Sequence, residues 1–179
     1  MISSQPTLFL DRDGVINRRL PGRYVRSWAE FEFLPGVLDA FSLLPHYFGR
    51  IVVVTNQLGV HKELMSLQDL ADIHQQMVLR IAATGCKIDQ VYACTDRSAC
   101  RKPQTGMAQQ AKRDFQDIDF SRSVIVGDSI TDMQFGQALG MYTVLIPDKA
   151  EEYEAYQAIT VDQRVRSLLH YAQGLSKEK

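Results

Sequence analysis

The stretch LFLDRDGVIN, residues 8–17, runs from an apolar segment into two acids set one residue apart, Asp11 and Asp13, followed at once by a glycine. A short apolar run bounded by a turn residue reads as a buried strand. If that strand carried on through the acids, their i, i+2 spacing would send both side chains out on the same side. Gly14 permits a tight turn directly behind them and would let backbone N–H groups approach an anion.

Working outward, the chain alternates short apolar runs with longer amphipathic ones, which is the rhythm of βαβ units. Strands are expected at 7–10, 50–55, 90–93, 123–126 and 142–146, each β-branched or aromatic and mostly apolar on both faces, as in a parallel sheet covered by helices. The clearest helix begins after Ser66, with Asp69 at the capping-box offset and Leu67, Leu70, Ile73, Met77 and Ile81 on one face; Gly85 is its stop. Further helices are expected at 36–44, 106–115, 131–139 and 161–175. The expected fold is α/β, a Rossmann-like doubly wound, mainly parallel sheet.

A chain of 179 residues suits a single domain spanning 1–179. About 40 residues separate the first two acid- and threonine-bearing strand ends, and that interval already holds a helix, so no large cap domain is expected. A net charge of -1 gives no basic excess to draw nucleic acid or an anionic membrane. No apolar stretch is long enough to cross a bilayer and MISSQPT lacks the features of a leader, so a cytoplasmic protein is expected. Cys86, Cys94 and Cys100 are an odd set of thiols in a chain able to build its own core, so no disulfide framework is expected. The oligomeric state is left open.

Ligands of such sheets gather at the carboxyl ends of the strands. The residues expected there are Asp11 and Asp13, then Thr55 and Asn56, then Arg101 and Lys102, then Gly127, Asp128 and Asp132, a set that suits phosphate and Mg²⁺. One acid can attack phosphorus to give an aspartyl phosphate, while a second within reach of the leaving group protonates the departing alcohol and later deprotonates water. Carboxylates repel a phosphoester dianion, so the cluster needs a hard cation, for which Asp11, Asp128 and a backbone carbonyl offer oxygen ligands. Lys102 and the Thr55 hydroxyl can hold the phosphoryl oxygens as charge develops.

The motifs DRDGVIN, VVVTNQ, CRKPQTGM and VGDSITDM, in this order, resemble the four motifs of the haloacid dehalogenase-like phosphatase superfamily. Within it they resemble the group containing the D-glycero-D-manno-heptose 1,7-bisphosphate and histidinol-phosphate phosphatases. The resemblance spans residues 8–146 and implies a Mg²⁺-dependent phosphomonoesterase acting on a small phosphorylated metabolite. It implies Asp11 as nucleophile, Asp13 as general acid and base, and Mg²⁺ held by Asp11, the Asp13 carbonyl and Asp128. Thr55 and Lys102 would stabilise the phosphoryl group, and Asn56, Gln57 and Arg101 would face the substrate. The segment GRYV, residues 22–25, matches a substrate-contacting loop and brings in Arg23 and Tyr24.

The chain departs from that group in places. Many relatives carry a zinc-binding loop with Cys and His ligands, but CTDRSACRKP offers Cys94 and Cys100 with no local His, short of the four ligands of a structural zinc. Zinc is not expected, and both cysteines are expected as ordinary loop or core residues. The loop RRLPGRY is longer than in the heptose enzymes, and Leu58 replaces a small polar residue. His74 is expected as a packed structural residue and Trp28, Phe31 and Phe33 as a cover on the core, the alternative being an aromatic wall over the site. Asp132 reads equally as a group supporting Lys102 or the metal, or as a helix first-turn acid. Arg18, Arg19 and Arg23 read as a solvated loop, with substrate steering the lesser alternative. A phospho-Asp receiver domain would share the acids, Thr and Lys, but has no need of Asp13.

Overall fold

Strand β1 (Thr7–Leu10) is buried along its whole length, and its alternate side chains feed two different cores. Leu8 and Leu10 join one apolar cluster, Phe9 the other. The same alternation runs through β2 (Arg50–Asn56), where Ile51 and Val53 face one side and Val52 and Val54 the other. Strands apolar on both faces are stable only between two layers of helices, and each fully buried Val, Leu or Phe contributes about 1.5–3 kcal/mol. The computed structural model, which describes residues 5–147 and 159–176, has this sandwich.

The remaining strands are β3 (Gln90–Cys94), β4 (Val124–Gly127), β5 (Tyr142–Leu145) and β6 (Gln163–Arg164). Among the described residues they form one parallel sheet in the order β3-β2-β1-β4-β5-β6. Helices α1 (Val37–Leu43), α2 (Leu67–Ala82) and α5 (Leu168–Leu175) bury their apolar faces in the core that holds Leu8. Helices α3 (Gly106–Asp114) and α4 (Ile130–Ala138) cover the opposite face, with Met107, Ala108, Ala111 and Phe135 against Phe9. The expected fold class is the one observed.

Local chemistry sets the helix starts. At α2 the Ser66 hydroxyl accepts from the Asp69 N–H while the Asp69 carboxylate accepts from the Ser66 N–H, and Leu70, Ile73, Met77 and Ile81 form the buried stripe. Leu67, expected on that stripe, is exposed; it is the first helical residue, and the buried stripe begins one turn on at Leu70. The helix expected over 161–175 is shorter. Gln163–Arg164 pairs with β5, the Asp162 carboxylate ties that segment to the Thr143 N–H and hydroxyl, and the helix starts only after its Ser167 cap. A two-residue edge strand of polar side chains carries no period to read.

The long segment between β1 and α1 folds back as a cover rather than a separate cap domain. Trp28 stacks on Phe31 at 4.8 Å and Phe33 meets Phe31 edge-on at 5.0 Å. These rings pack onto the core and line no part of the site cleft, so the core-cover reading holds. Among the described residues no helix is long and apolar enough to cross a membrane.

The disulfide expectation is overturned: Cys94, at the end of β3, is bonded to Cys100, and only Cys86 is a free, buried thiol. The loop 95–99 doubles back, bringing the two Cα atoms to 5.5 Å, close enough to bridge. Asp96 lies beside the pair, but sulfurs bonded to each other are not available as thiolate ligands.

Candidate active site

β1 has β2 on one side and β4 on the other, so the strand order reverses there and a crevice opens outside their carboxyl ends. Asp11 stands at that point, its N–H donating to the Val126 carbonyl of β4 at 2.9 Å. The strand does not continue through Asp13. The chain turns at once, with Ile16 N–H donating to the Arg12 carbonyl and Gly14 N–H to the Asn17 carbonyl. Gly14 therefore offers no N–H to an anion. Its role is steric: φ is +86°, and a Cβ there would sit 2.0 Å from Oδ2 of Asp128.

Three carboxylates converge here, Asp11, Asp128 and Asp132, all buried and able to bring one oxygen each within 4.8 Å of the others. Lys102 reaches in from the loop before α3 and spends all three of its donors, on Asp11 Oδ1 (2.9 Å), Asp132 Oδ1 (2.5 Å) and the Val54 carbonyl (2.7 Å). Arg19 approaches Asp128 Oδ2 at 3.3 Å. Burial, with Asp132 and Asp13 nearby, raises the Asp11 carboxyl to about 7 despite Lys102. Burial and the charges of Asp11 and Asp132 likewise push Asp128 well up. Burial disfavours the Lys102 ammonium, but Asp11 and Asp132 outweigh it and raise its pKa. Three buried carboxylates offering hard oxygen donors within reach of one another, two of them pushed up by burial and by neighbouring acids, suit a divalent cation such as Mg²⁺.

Asp132 divides its two oxygens between two sets of partners. Oδ1 takes Lys102, while Oδ2 accepts from the Ser129 N–H (3.1 Å) and hydroxyl (2.6 Å), capping α4. Gly127 makes room for it, since a Cβ there would meet the Asp132 Cβ at 2.2 Å.

Asp13 lives in a different field. Arg12 Nη2 donates to both of its oxygens (3.0 and 2.9 Å), Asn17 Nδ2 to Oδ1 (2.9 Å) and Gln57 Nε2 to Oδ2 (2.7 Å). Burial raises the Asp13 carboxyl, but the Arg12 charge and these hydrogen bonds outweigh it and leave it lowered. Two acids two residues apart thus stand in opposite electrostatic fields.

The other expected residues divide. Thr55, Asn56, Arg101, Arg23 and Tyr24 line a cleft of about 390 Å³ together with Asp11, Asp13 and Lys102. Asn56 also clasps the Lys102 backbone, donating to its carbonyl at 3.1 Å and accepting from its N–H at 3.0 Å. Gln57 does not face the cleft: it is fully buried and its amide N–H₂ bridges Asp13 to the Thr55 hydroxyl oxygen at 2.8 Å. Its place one residue past the strand turns it back under the floor of the site. Arg18 pairs with Glu32 on the surface, leaving Arg19 and Arg23 at the cleft. Sequence reasoning missed Arg12, Asn17 and Lys62, and reads His74 as a packed structural residue. Arg12 is fully buried and its Nη1 meets His74 Nε2 at 3.1 Å, and Lys62 lines the cleft beside the Tyr24 ring. A charged residue between two acids at the end of a buried strand was the available signal for Arg12; nothing local marks the others.

The family model for polynucleotide kinase 3 phosphatase matches residues 10–158. A Mycobacterium bovis D-glycero-alpha-D-manno-heptose-1,7-bisphosphate 7-phosphatase is 44% identical over 131 residues, 71% of this chain and 69% of that one. A Vibrio cholerae D-glycero-beta-D-manno-heptose-1,7-bisphosphate 7-phosphatase is 33% identical across 97% of this chain and 100% of its own. The crystal structure of D,D-heptose 1,7-bisphosphate phosphatase from B. bronchiseptica, complexed with magnesium and phosphate, superposes with a TM-score of 0.88 at 29% identity, covering 98% of this chain and 100% of that one.

Proposed function

Because the chain belongs to the haloacid dehalogenase-like phosphatases, in the group of the D-glycero-D-manno-heptose-1,7-bisphosphate 7-phosphatases, we propose that it removes one phosphate from a small sugar bisphosphate, a heptose 1,7-bisphosphate being the leading substrate. The observation that carries this reading is the convergence of Asp11, Asp128 and Lys102 at the strand ends, with Asp13 held separately at the same cleft by Arg12, Asn17 and Gln57. A receiver domain needs only the first of these.

Asp11 attacks phosphorus, the bond from phosphorus to the sugar oxygen breaks, and an aspartyl phosphate forms. Asp13 gives its proton to the departing oxygen, then takes one from the water that attacks the aspartyl phosphate, releasing phosphate and regenerating Asp11. The Thr55 hydroxyl, whose oxygen already accepts from Gln57, keeps its own hydrogen to donate to a phosphoryl oxygen. Lys102 turns one donor from Asp11 to the phosphoryl group while Asp132 and the Val54 carbonyl keep it in place. Asp11, Asp128 and the Asp13 carbonyl would hold Mg²⁺, which would supply positive charge to offset the repulsion between these acids and the phosphate dianion.

The second phosphate is read by the far side of the cleft. Arg101 carries a buried Nη1 with no hydrogen-bond partner among the described residues, and Lys62 and Arg23 line the same space. A planar guanidinium with an unused donor suits a phosphate oxygen. A cytoplasmic site of action goes with such a substrate; the Cys94–Cys100 bond would there be exposed to the thiol pool.

Phosphate release from both anomers of heptose 1,7-bisphosphate, from histidinol phosphate and from an aryl phosphate, with Mg²⁺ or with chelator, tests the proposal. The highest kcat/KM is expected on a heptose bisphosphate and only with Mg²⁺. Arg101→Ala is expected to lower kcat/KM on the bisphosphate about 10–100-fold more than on the aryl phosphate, the loss of a charge-assisted contact of about 1.5–3 kcal/mol. Equal loss on both substrates would remove Arg101 from recognition, and absence of any metal-dependent release would remove the enzyme.

A further inference from the structure

Among the described residues Arg12 is the largest fully buried side chain, and it is a charge. Its Nη2 holds both oxygens of Asp13, while Nε has no hydrogen-bond partner among the described residues. Apart from Asp13 itself, the guanidinium is anchored among the described residues by a single hydrogen bond, from Nη1 to His74 Nε2 at 3.1 Å. Arginine can only donate, so Nε2 is the acceptor and the imidazole is neutral with its proton on Nδ1. Burial, then the adjacent Arg12 charge, depress His74 to about 3, which keeps the ring in that accepting form.

His74 is not a casual neighbour. It stands on α2, whose start is fixed by the Ser66 and Asp69 capping box and whose buried stripe, including Ile73 and Met77, anchors the helix on the core on either side of it. The contact joins positions 62 residues apart, so a helix with no other part in the site sets the angle of the guanidinium under Asp13.

We propose that His74 is a positioning residue for the proton-transfer step: by fixing Arg12 it fixes the carboxyl of Asp13 where the departing oxygen and the incoming water must find it. The inference rests on the phosphatase reading and on Asp13 as its acid and base. A leucine at 74 would leave Nη1 buried without an acceptor and the guanidinium free to rotate about its remaining contact. Glutamine could restore an acceptor oxygen.

The consequence is selective. An alkyl phosphate, such as a sugar phosphate, needs a proton on its leaving oxygen, whereas a nitrophenyl phosphate departs as a stable anion. In kcat/KM, which extends to the first irreversible step, His74→Leu should therefore lower the ratio of alkyl to aryl phosphate hydrolysis about tenfold, part of the 10²–10⁴ that general acid catalysis supplies. His74→Gln should recover the ratio to within about threefold of wild type, by restoring the acceptor. If His74→Leu does not fold, His74→Met provides the acceptor-poor comparison. An equal fall on both substrates, or a Gln variant no better than Leu or Met, overturns the inference and leaves His74 a structural residue. Wild-type protein that releases no phosphate from either substrate overturns the phosphatase reading itself, an outcome visible before any variant is made.

Discussion

Asp11→Asn is expected to abolish phosphate release, lowering kcat by at least about 10⁴-fold, the scale of loss when a covalent nucleophile is removed. The same substitution is expected to stabilise the metal-free protein at pH 8. Asp11 is an acid whose pKa is raised on folding, to about 7 from 3.8, by burial and by Asp132 and Asp13. Between those values the folded state binds more protons than the unfolded chain, so the Asp11 contribution to stability falls as pH rises. Thermal unfolding of the chelated protein from pH 5 to pH 8 should show wild type losing stability more steeply than Asp11→Asn. Addition of Mg²⁺ should raise the wild-type midpoint at pH 8 more than that of the variant. A variant that still turns over on both sugar and aryl phosphates would refute the nucleophile, and parallel pH profiles would refute the electrostatic account.

Lys102→Met is expected to destabilise the protein by about 3–5 kcal/mol near neutral pH, the cost of leaving buried charge without its partner. The methionine keeps the volume but removes the ammonium shared by Asp11 Oδ1, Asp132 Oδ1 and the Val54 carbonyl. Without it Asp11 and Asp128, both already raised, face the cluster with less compensation, so the variant should regain stability as pH falls and Asp11 and Asp128 take up protons. Urea unfolding at pH 8 and pH 6 checks this: the gap between wild type and variant should narrow at the lower pH. Activity should fall by about 10²–10³, the loss of one strong donor to the developing charge. An unchanged midpoint at pH 8 would show that Lys102 does not offset the acids.

Both effects trace to residues that stand out locally. LFLDRDGVIN places two acids at the end of a buried strand, and VGDSITDM places Asp128 and Asp132 at another with a serine cap between them. The strand sites, the α2 capping box and the cluster of acids are legible because an apolar period or a cap spans only a few residues of sequence. The C-terminal helix was read too long because Gln163–Arg164 is a strand only by virtue of lying beside β5. Gln57 was expected to face substrate because it follows Thr55 and Asn56, but the end of β2 turns its amide down onto Asp13.

By itself the sequence determined the doubly wound fold, the acids at the strand ends and the need of those acids for a cation, since each follows from side-chain type and spacing along one segment. Only the tertiary structure decided how Asp11 and Asp13 differ, that Cys94 and Cys100 are bonded, and that Arg12 is buried against His74. Those are matters of which distant groups face a side chain and how much water is left around it. The strand order β3-β2-β1-β4 brings Lys102, Asp128, Thr55 and Asp13 together at one crevice, with Gln57 buried behind Asp13, and the field at each carboxyl is a sum over partners that no single stretch of chain contains.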